Sequence, residues 1–293
     1  MVYAGTGTDL IFNQGIDLPG FASFPLLEQA DTRAVLAGQM QALVQLAGGM
    51  GLGCILDAPT WMANPDRAAP LGYDVERLKH VNRDAVTLME ELRQAAGRDD
   101  VLVSACIGPQ HDPYADVAPM SVEAARRYHA MQLSALKDTS VDLVTAYTFN
   151  RVSEAAGCVL AARDVGLPVV MSLVVETDGR LADGTGLIDA IDRIDAATGA
   201  SAAFFMVNCA HPTHFAGALE GHPRLQGIVA NASSCSHAEL DEAETLDEGN
   251  PQQLGREIAQ IIRQNPDIRV FGGCCGTDMR HLGAMAQEVA DSR

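Results

Sequence analysis

A chain of 293 residues with 47% apolar and 20% charged residues is balanced like a globular protein able to bury one large core or two modest ones. Its formal net charge, 20 − 38 = −18, excludes a sequence-independent nucleic-acid binder and disfavours an anionic membrane surface, since both need clustered Lys and Arg. Disorder is excluded by the apolar content, and 27 Gly beside 5% aromatics point to a core of small aliphatic side chains.

Strands are expected at residues 2–6, 54–58, 101–106, 143–147, 169–175, 203–208, 227–230 and 270–273. Each run is nearly continuous in apolar residues, as strands buried on both faces are. Helices are expected between them, at 29–47, 75–96, 121–137, 152–164, 187–198, 213–219, 251–264 and 278–291. Ser121, Pro251 and Asp278 carry start signals, and Gly97, Gly166 and Gly199 carry stop signals. Strict βα alternation implies a parallel sheet. Eight repeats fit a closed (β/α)8 TIM barrel, typically about 250 residues, better than an open doubly wound sheet. With no linker or composition break, residues 1–293 are expected to form one α/β domain, the surplus length lying in loops 11–29, 60–74 and 233–249. Chemistry should then gather where the strands end.

Residues 1–10 have no basic start and no apolar run, so no secretory leader is expected. No apolar stretch approaches the roughly 20 residues that span a bilayer. Seven cysteines, an odd number with two adjacent, argue against a disulfide framework and for thiols in a reducing cytoplasm.

The last expected strand runs into Gly272-Gly273-Cys274-Cys275-Gly276-Thr277. Adjacent side chains of a strand point to opposite faces, but flanking glycines permit the distortion that turns both sulfurs one way. A third thiol ends the sixth strand, in Val207-Asn208-Cys209-Ala210-His211-Pro212. In a barrel the ends of strands six and eight face one mouth. Three cysteines and an open fourth position are the donor set of a catalytic Zn²⁺ site; a redox vicinal pair and inert thiols are the alternatives. Cys54, Cys106, Cys158 and Cys235 read as inert buried thiols.

These runs, with Ala4-Gly5-Thr6-Gly7-Thr8-Asp9-Leu10, Ile107-Gly108-Pro109 and Val229-Ala230-Asn231, resemble the homocysteine S-methyltransferase family in family order over residues 4–277. That family comprises zinc-dependent methyltransferases, betaine–homocysteine and S-methylmethionine–homocysteine enzymes among them. The resemblance implies a TIM barrel with Zn²⁺ held by Cys209, Cys274 and Cys275. It also implies a thiol acceptor, homocysteine giving methionine, and a small onium donor of the S-methylmethionine, S-adenosylmethionine or betaine type. No catalytic base is implied, because a metal-bound thiol is already deprotonated. Substrate contacts are expected from Tyr3, Gly5, Thr6, Trp61, Tyr147, Asn231 and Glu176.

The chain also departs from the family. An acid normally precedes the Gly-rich turn of the first strand, and a Glu-Thr pair normally ends the fourth; both acids grip the α-ammonium of homocysteine. Tyr3 and Tyr147 stand in those places here. A buried unpaired ammonium costs several kcal/mol. Either Asp9, Asp57 or Glu176 substitutes, or the acceptor is a thiol without an α-ammonium. Tyr3, Tyr147 and Trp61 are candidates to face a methylated cation, although betaine-using relatives carry their aromatic one position later, at Met62.

Other features are discounted. The glycines of 48–53 precede a strand, whereas a phosphate cradle follows one. His211 and His214 are surface or supporting residues, and the acidic run 239–248 is a solvated loop. Remoter readings are a subunit serving a separate corrinoid protein and a zinc or redox sensor with His211 as fourth ligand. An oligomer is compatible with the sequence.

Overall fold

Eight parallel strands make up the sheet of this computed structural model, which describes residues 1–113 and 117–292. They are β1 Val2–Tyr3, β2 Cys54–Ala58, β3 Val101–Ile107, β4 Leu143–Phe149, β5 Val169–Leu173, β6 Phe204–Asn208, β7 Leu225–Ala230 and β8 Val270–Gly273. Each pairs with its sequence neighbour from β2 to β8, and β8 pairs with β1 at Val2↔Gly272 and Tyr3↔Gly273. The Ile55 amide donates to the Met1 carbonyl at 2.9 Å, which brings β2 against β1 and closes the TIM barrel.

The helices that follow the strands are α1 Ala30–Gly49, α2 Val75–Ala96, α3 Val122–Leu136, α4 Val152–Val165, α5 Leu187–Thr198, α6 Pro212–Phe215, α7 Pro251–Gln264 and α8 Met279–Ala290. Their ends are set as the start and stop residues predict. Ser121 accepts from the Ala124 amide at 3.2 Å, and Asp278 from the Arg280 amide at 2.8 Å. Gly97, Gly166 and Gly199 take left-handed φ of +60°, +76° and +67° at the helix ends. Helix α4, rich in Ala, is buried along most of its length. A Cβ at Gly157 would stand 2.4 Å from the Ala125 side chain and 2.6 Å from the Val122 carbonyl, so α3 and α4 meet backbone to backbone.

The strands divide their side chains between two cores. Outward residues such as Leu56, Val103, Ile107, Phe205 and Ile228 pack against the helices. Inward ones, Val2, Cys106, Tyr147, Val170, Met206, Val229 and Cys274 among them, form a second cluster inside the barrel. The upper inward layer is polar: Ser104 and Thr145 share a 2.8 Å hydroxyl contact, and Ser172 donates to Asn208 Oδ1 at 2.7 Å.

The expected elements differ from the observed ones mainly at two places. Strand β1 stops at Tyr3 rather than at residue 6, because Gly5 passes under the Cys274 carbonyl (a Cβ there would sit 2.5 Å from it) and the chain turns into a helical segment. Helix α6 is a single turn, continued by a 3₁₀ turn at Ala216–Ala218. The long loops hold short helical pieces, Phe24–Glu28, Pro65–Ala68 and His237–Asp241 among them. Among the described residues no helix is long and apolar enough to cross a membrane.

Candidate functional site

The ends of β6 and β8 bring three sulfurs together. Cys209 takes φ +56°, unusual for a side chain with a Cβ, directly after β6. Its neighbour Asn208 holds the turn: Oδ1 accepts from the Thr148 amide at 3.0 Å and the Ser172 hydroxyl at 2.7 Å, while Nδ2 donates to Thr148 Oγ1 at 2.9 Å. Thr148 is itself left-handed, at φ +67°. On β8, a Cβ at Gly272 would lie 2.0 Å from the Val2 carbonyl, and one at Gly273 would lie 2.2 Å from Thr277 Oγ1. Those glycines admit β1 on one side and Thr277 on the other, and Thr277 Oγ1 donates to the Cys274 carbonyl at 2.6 Å.

Cys209, Cys274 and Cys275 consequently place their Sγ atoms within 4.8 Å of one another, with Cys209 and Cys275 at 3.5 Å. Tetrahedral Zn²⁺ with bonds of about 2.3 Å requires sulfurs about 3.8 Å apart, so the donor set fits. Among the described residues no His, Asp, Glu or further Cys joins the three. Donation from the Cys274 and Cys275 thiols holds Cys209 well below the ordinary thiol range, and the proton sharing pushes the other two up. His237 Nε2 lies 2.6 Å from the Cys209 carbonyl and Nδ1 3.2 Å from Glu176 Oε2. Burial opposes a charged His237, yet the Cys209 and Glu176 contacts outweigh it and raise the imidazole to about 9.

Two cavities meet at the sulfurs. The first, about 850 Å³ counting its open mouth, is lined by Tyr3, Thr6, Gln39, Asp57, Cys106, Tyr147 and all three cysteines. A second, about 1100 Å³, is lined by Asn231, Ser233, His237, Leu246, Cys209 and Cys275. Phe21, Trp61 and Met62 border both. Trp61 is fixed there by donating Nε1–H to the Tyr147 carbonyl at 3.2 Å and by an edge contact to Phe21. In the first cavity the Tyr147 hydroxyl donates to Asp57 Oδ2 at 2.8 Å. Burial raises Asp57 to about 6 despite that bond.

Of the residues expected at the site, Tyr3, Thr6, Trp61 and Tyr147 line the first cavity and Asn231 the second. Gly5 supports Cys274 from beneath. Tyr3 turns its hydroxyl to the Thr277 carbonyl at 3.2 Å. Glu176 borders neither cavity and pairs with His237. Asp9 is taken up by Asn13, Gln14 and Gln39. His211 faces Thr213 at 2.9 Å and Glu257 at 3.6 Å, away from the fourth position a sensor would need it to fill. His237 and Thr148 escaped the sequence reading. Asn208 had a signal, its place next to Cys209 in the quoted run.

Fold and site together define a (β/α)8 barrel with a three-cysteine centre at its C-terminal rim. The chain belongs to the homocysteine S-methyltransferase family, whose sequence pattern matches residues 13–289. It is similar to betaine–homocysteine S-methyltransferase 1 of Danio rerio, 28% identical over 217 residues, which are 69% of this chain and 53% of that one. It is also similar to S-methylmethionine–homocysteine S-methyltransferase of Mus musculus, 26% identical over 180 residues, 56% of this chain and 48% of the other. The chain thus spans about half the length of these curated relatives. Its fold matches the metallated form of homocysteine methyltransferase MmuM from Escherichia coli, with a TM-score of 0.75 at 20% identity over 98% of this chain and 95% of that one.

Proposed function

We propose that the protein is a zinc-dependent thiol S-methyltransferase that moves a methyl group from a small onium donor to a thiol, homocysteine giving methionine. The observation that carries this reading is the three-sulfur cluster, whose atoms lie within 4.8 Å of one another where two cavities meet. Cys209, Cys274 and Cys275 would hold the metal. When bound, Zn²⁺ supplies the charge that keeps a thiol ionised at neutral pH, where a free thiol is mostly protonated.

The protein's own residues orient and exclude. Asn208, Thr277 and His237 fix the backbone that carries the cysteines. The first cavity, with the barrel interior at its back, suits the acceptor. The second suits the donor, whose cationic methyl would meet the faces of Phe21 and Trp61 at the boundary. Asn231, with Oδ1 buried and unbonded, offers an acceptor atom on the donor side. Free thiols in this arrangement suit a reducing cytoplasm.

Methionine formation from homocysteine and S-methylmethionine by protein carrying one zinc per chain tests the reading. Cys274→Ala should abolish both stoichiometric zinc and methyl transfer, a loss on the order of 1000-fold or more. Transfer at the unaltered rate in that variant would refute it.

A further inference from the structure

Among the described residues, the carboxylate in the first cavity pairs with no cationic side chain. Asp57 ends β2 inside the barrel and is 9% exposed. One oxygen accepts from Tyr147; the other, Oδ1, is buried and bonded to nothing. Among the described residues no Lys, Arg or His lines this cavity, and its other ionisable groups, four thiols and two phenols, are negative when ionised. A second orphan acceptor, Gln39 Oε1, lies in the same wall, its amide held in place because Nε2 donates to Asp9 at 2.6 Å. A cavity that leaves two buried acceptor atoms unpartnered and offers them no cationic side chain suits a ligand that brings N–H groups and positive charge.

Position narrows the ligand further. The wall that holds Asp57 also holds Cys274 and Cys275, so a molecule filling the cavity presents one end to the sulfur centre and another to the carboxylate. The competing acids are committed elsewhere: Glu176 to His237, and Asp9 to Asn13, Gln14 and Gln39. We propose that Asp57, oriented by Tyr147, is the residue of this chain that binds the ammonium group of the acceptor. This rests on the methyltransferase reading above. Asp57 is then a specificity-determining residue, and Tyr147 a positioning residue that keeps one carboxylate oxygen engaged while the other meets the ligand.

Calorimetric titration of zinc-loaded protein with homocysteine and with 4-mercaptobutanoate, the same molecule without its amine, tests the proposal alongside methyl transfer to each. Wild type should bind homocysteine more tightly by on the order of 100-fold, the cost of leaving a buried charge unpaired. Asp57→Asn should erase that preference by weakening homocysteine alone, its unchanged affinity for 4-mercaptobutanoate showing the site intact. Tyr147→Phe should weaken homocysteine by on the order of 10-fold, a single charge-assisted hydrogen bond, again sparing the analogue. Equal affinity of wild type for the two thiols, with both methylated, would overturn the amine assignment and leave the methyltransferase reading standing. An undiminished homocysteine preference in Asp57→Asn would do the same. Failure of zinc-loaded wild type to bind or methylate either thiol would instead bring down the methyltransferase reading and this proposal with it.

Discussion

The rim formed by β6 and β8 and the wall formed by β1, β2 and β4 serve one cavity under different constraints. On the rim, three sulfurs must converge if they are to hold the proposed metal, and they lie within 4.8 Å of one another. Every device there acts on the backbone: left-handed Cys209 and Thr148, the Asn208 bonds, and glycines where no Cβ fits. On the wall, recognising a charged group needs only a carboxylate within reach, and any strand end facing inward can supply it. Tyr3 and Tyr147 occupy the places where the family carries acids, while Asp57 stands on β2, next to β1. Metal geometry fixes residues to positions, whereas charge complementarity fixes only the sum of charge in a volume.

The rim should break most readily. Gly273→Ala puts a Cβ 2.2 Å from Thr277 Oγ1, beside the bond that holds the Cys274 carbonyl. Overpacking of this kind costs about 1–3 kcal/mol of unfolding free energy, and competition with a chelator should show a larger loss of zinc affinity than any wall variant. A variant that retains wild-type affinity would show the rim to be more pliant than its wall. Asn208→Ala leaves the sulfurs in place and removes what orients them, so zinc affinity should fall about 10–100-fold, measured in the same competition.

The wall should respond in the opposite sense. Buried Asp57 has its carboxyl raised from 3.8 to about 6, so the folded protein holds a proton that the unfolded chain releases between those values. Its contribution to stability therefore declines as pH rises through that window and remains unfavourable above it. Tyr147, Ser104 and Cys106 face it, burial pushing the phenol and the thiol up, and the Met1 amine that acts on it is itself lowered to about 6 by burial. Asp57→Asn should accordingly stabilise the ligand-free protein at pH 8, by about 1–3 kcal/mol, while thermal unfolding at pH 4 shows little difference. Homocysteine affinity in wild type should fall as pH drops below about 6 and the carboxylate is neutralised. A destabilised Asp57→Asn at pH 8 would mean the carboxylate is already matched without ligand.

Much of this was legible in the sequence for physical reasons. Strands buried on both faces announce themselves as apolar runs, and β2 and β8 fall on the expected residues 54–58 and 270–273. Strand β7 begins two residues before its expected start because the polar, half-buried Gln226 separates buried Leu225 from the apolar run that follows. Cysteines flanked by glycines likewise declare a distorted strand end. What stayed hidden depends on tertiary placement. His237 comes from a loop 28 residues beyond Cys209 and reaches its carbonyl only in the folded barrel. Thr148 takes a left-handed turn with no glycine to mark it. Asp9, Asp57 and Glu176 looked alike as strand-end or loop acids, and only their partners separate them.

The partition between the two cavities has an evolutionary consequence. Phe21, Trp61 and Met62 border both, so in the proposed reaction the transferred carbon would be the one part of either substrate to pass from one side to the other. The far cavity is walled in part by the loop that includes Ser233, Leu240 and Leu246, a segment that contributes nothing to the barrel's strands. If that cavity takes the donor as proposed, changes there would redraw which methyl carrier is admitted while the grip on the recipient, set inside the barrel, stays as it is. Each half of the proposed reaction would then acquire new partners without retraining the other.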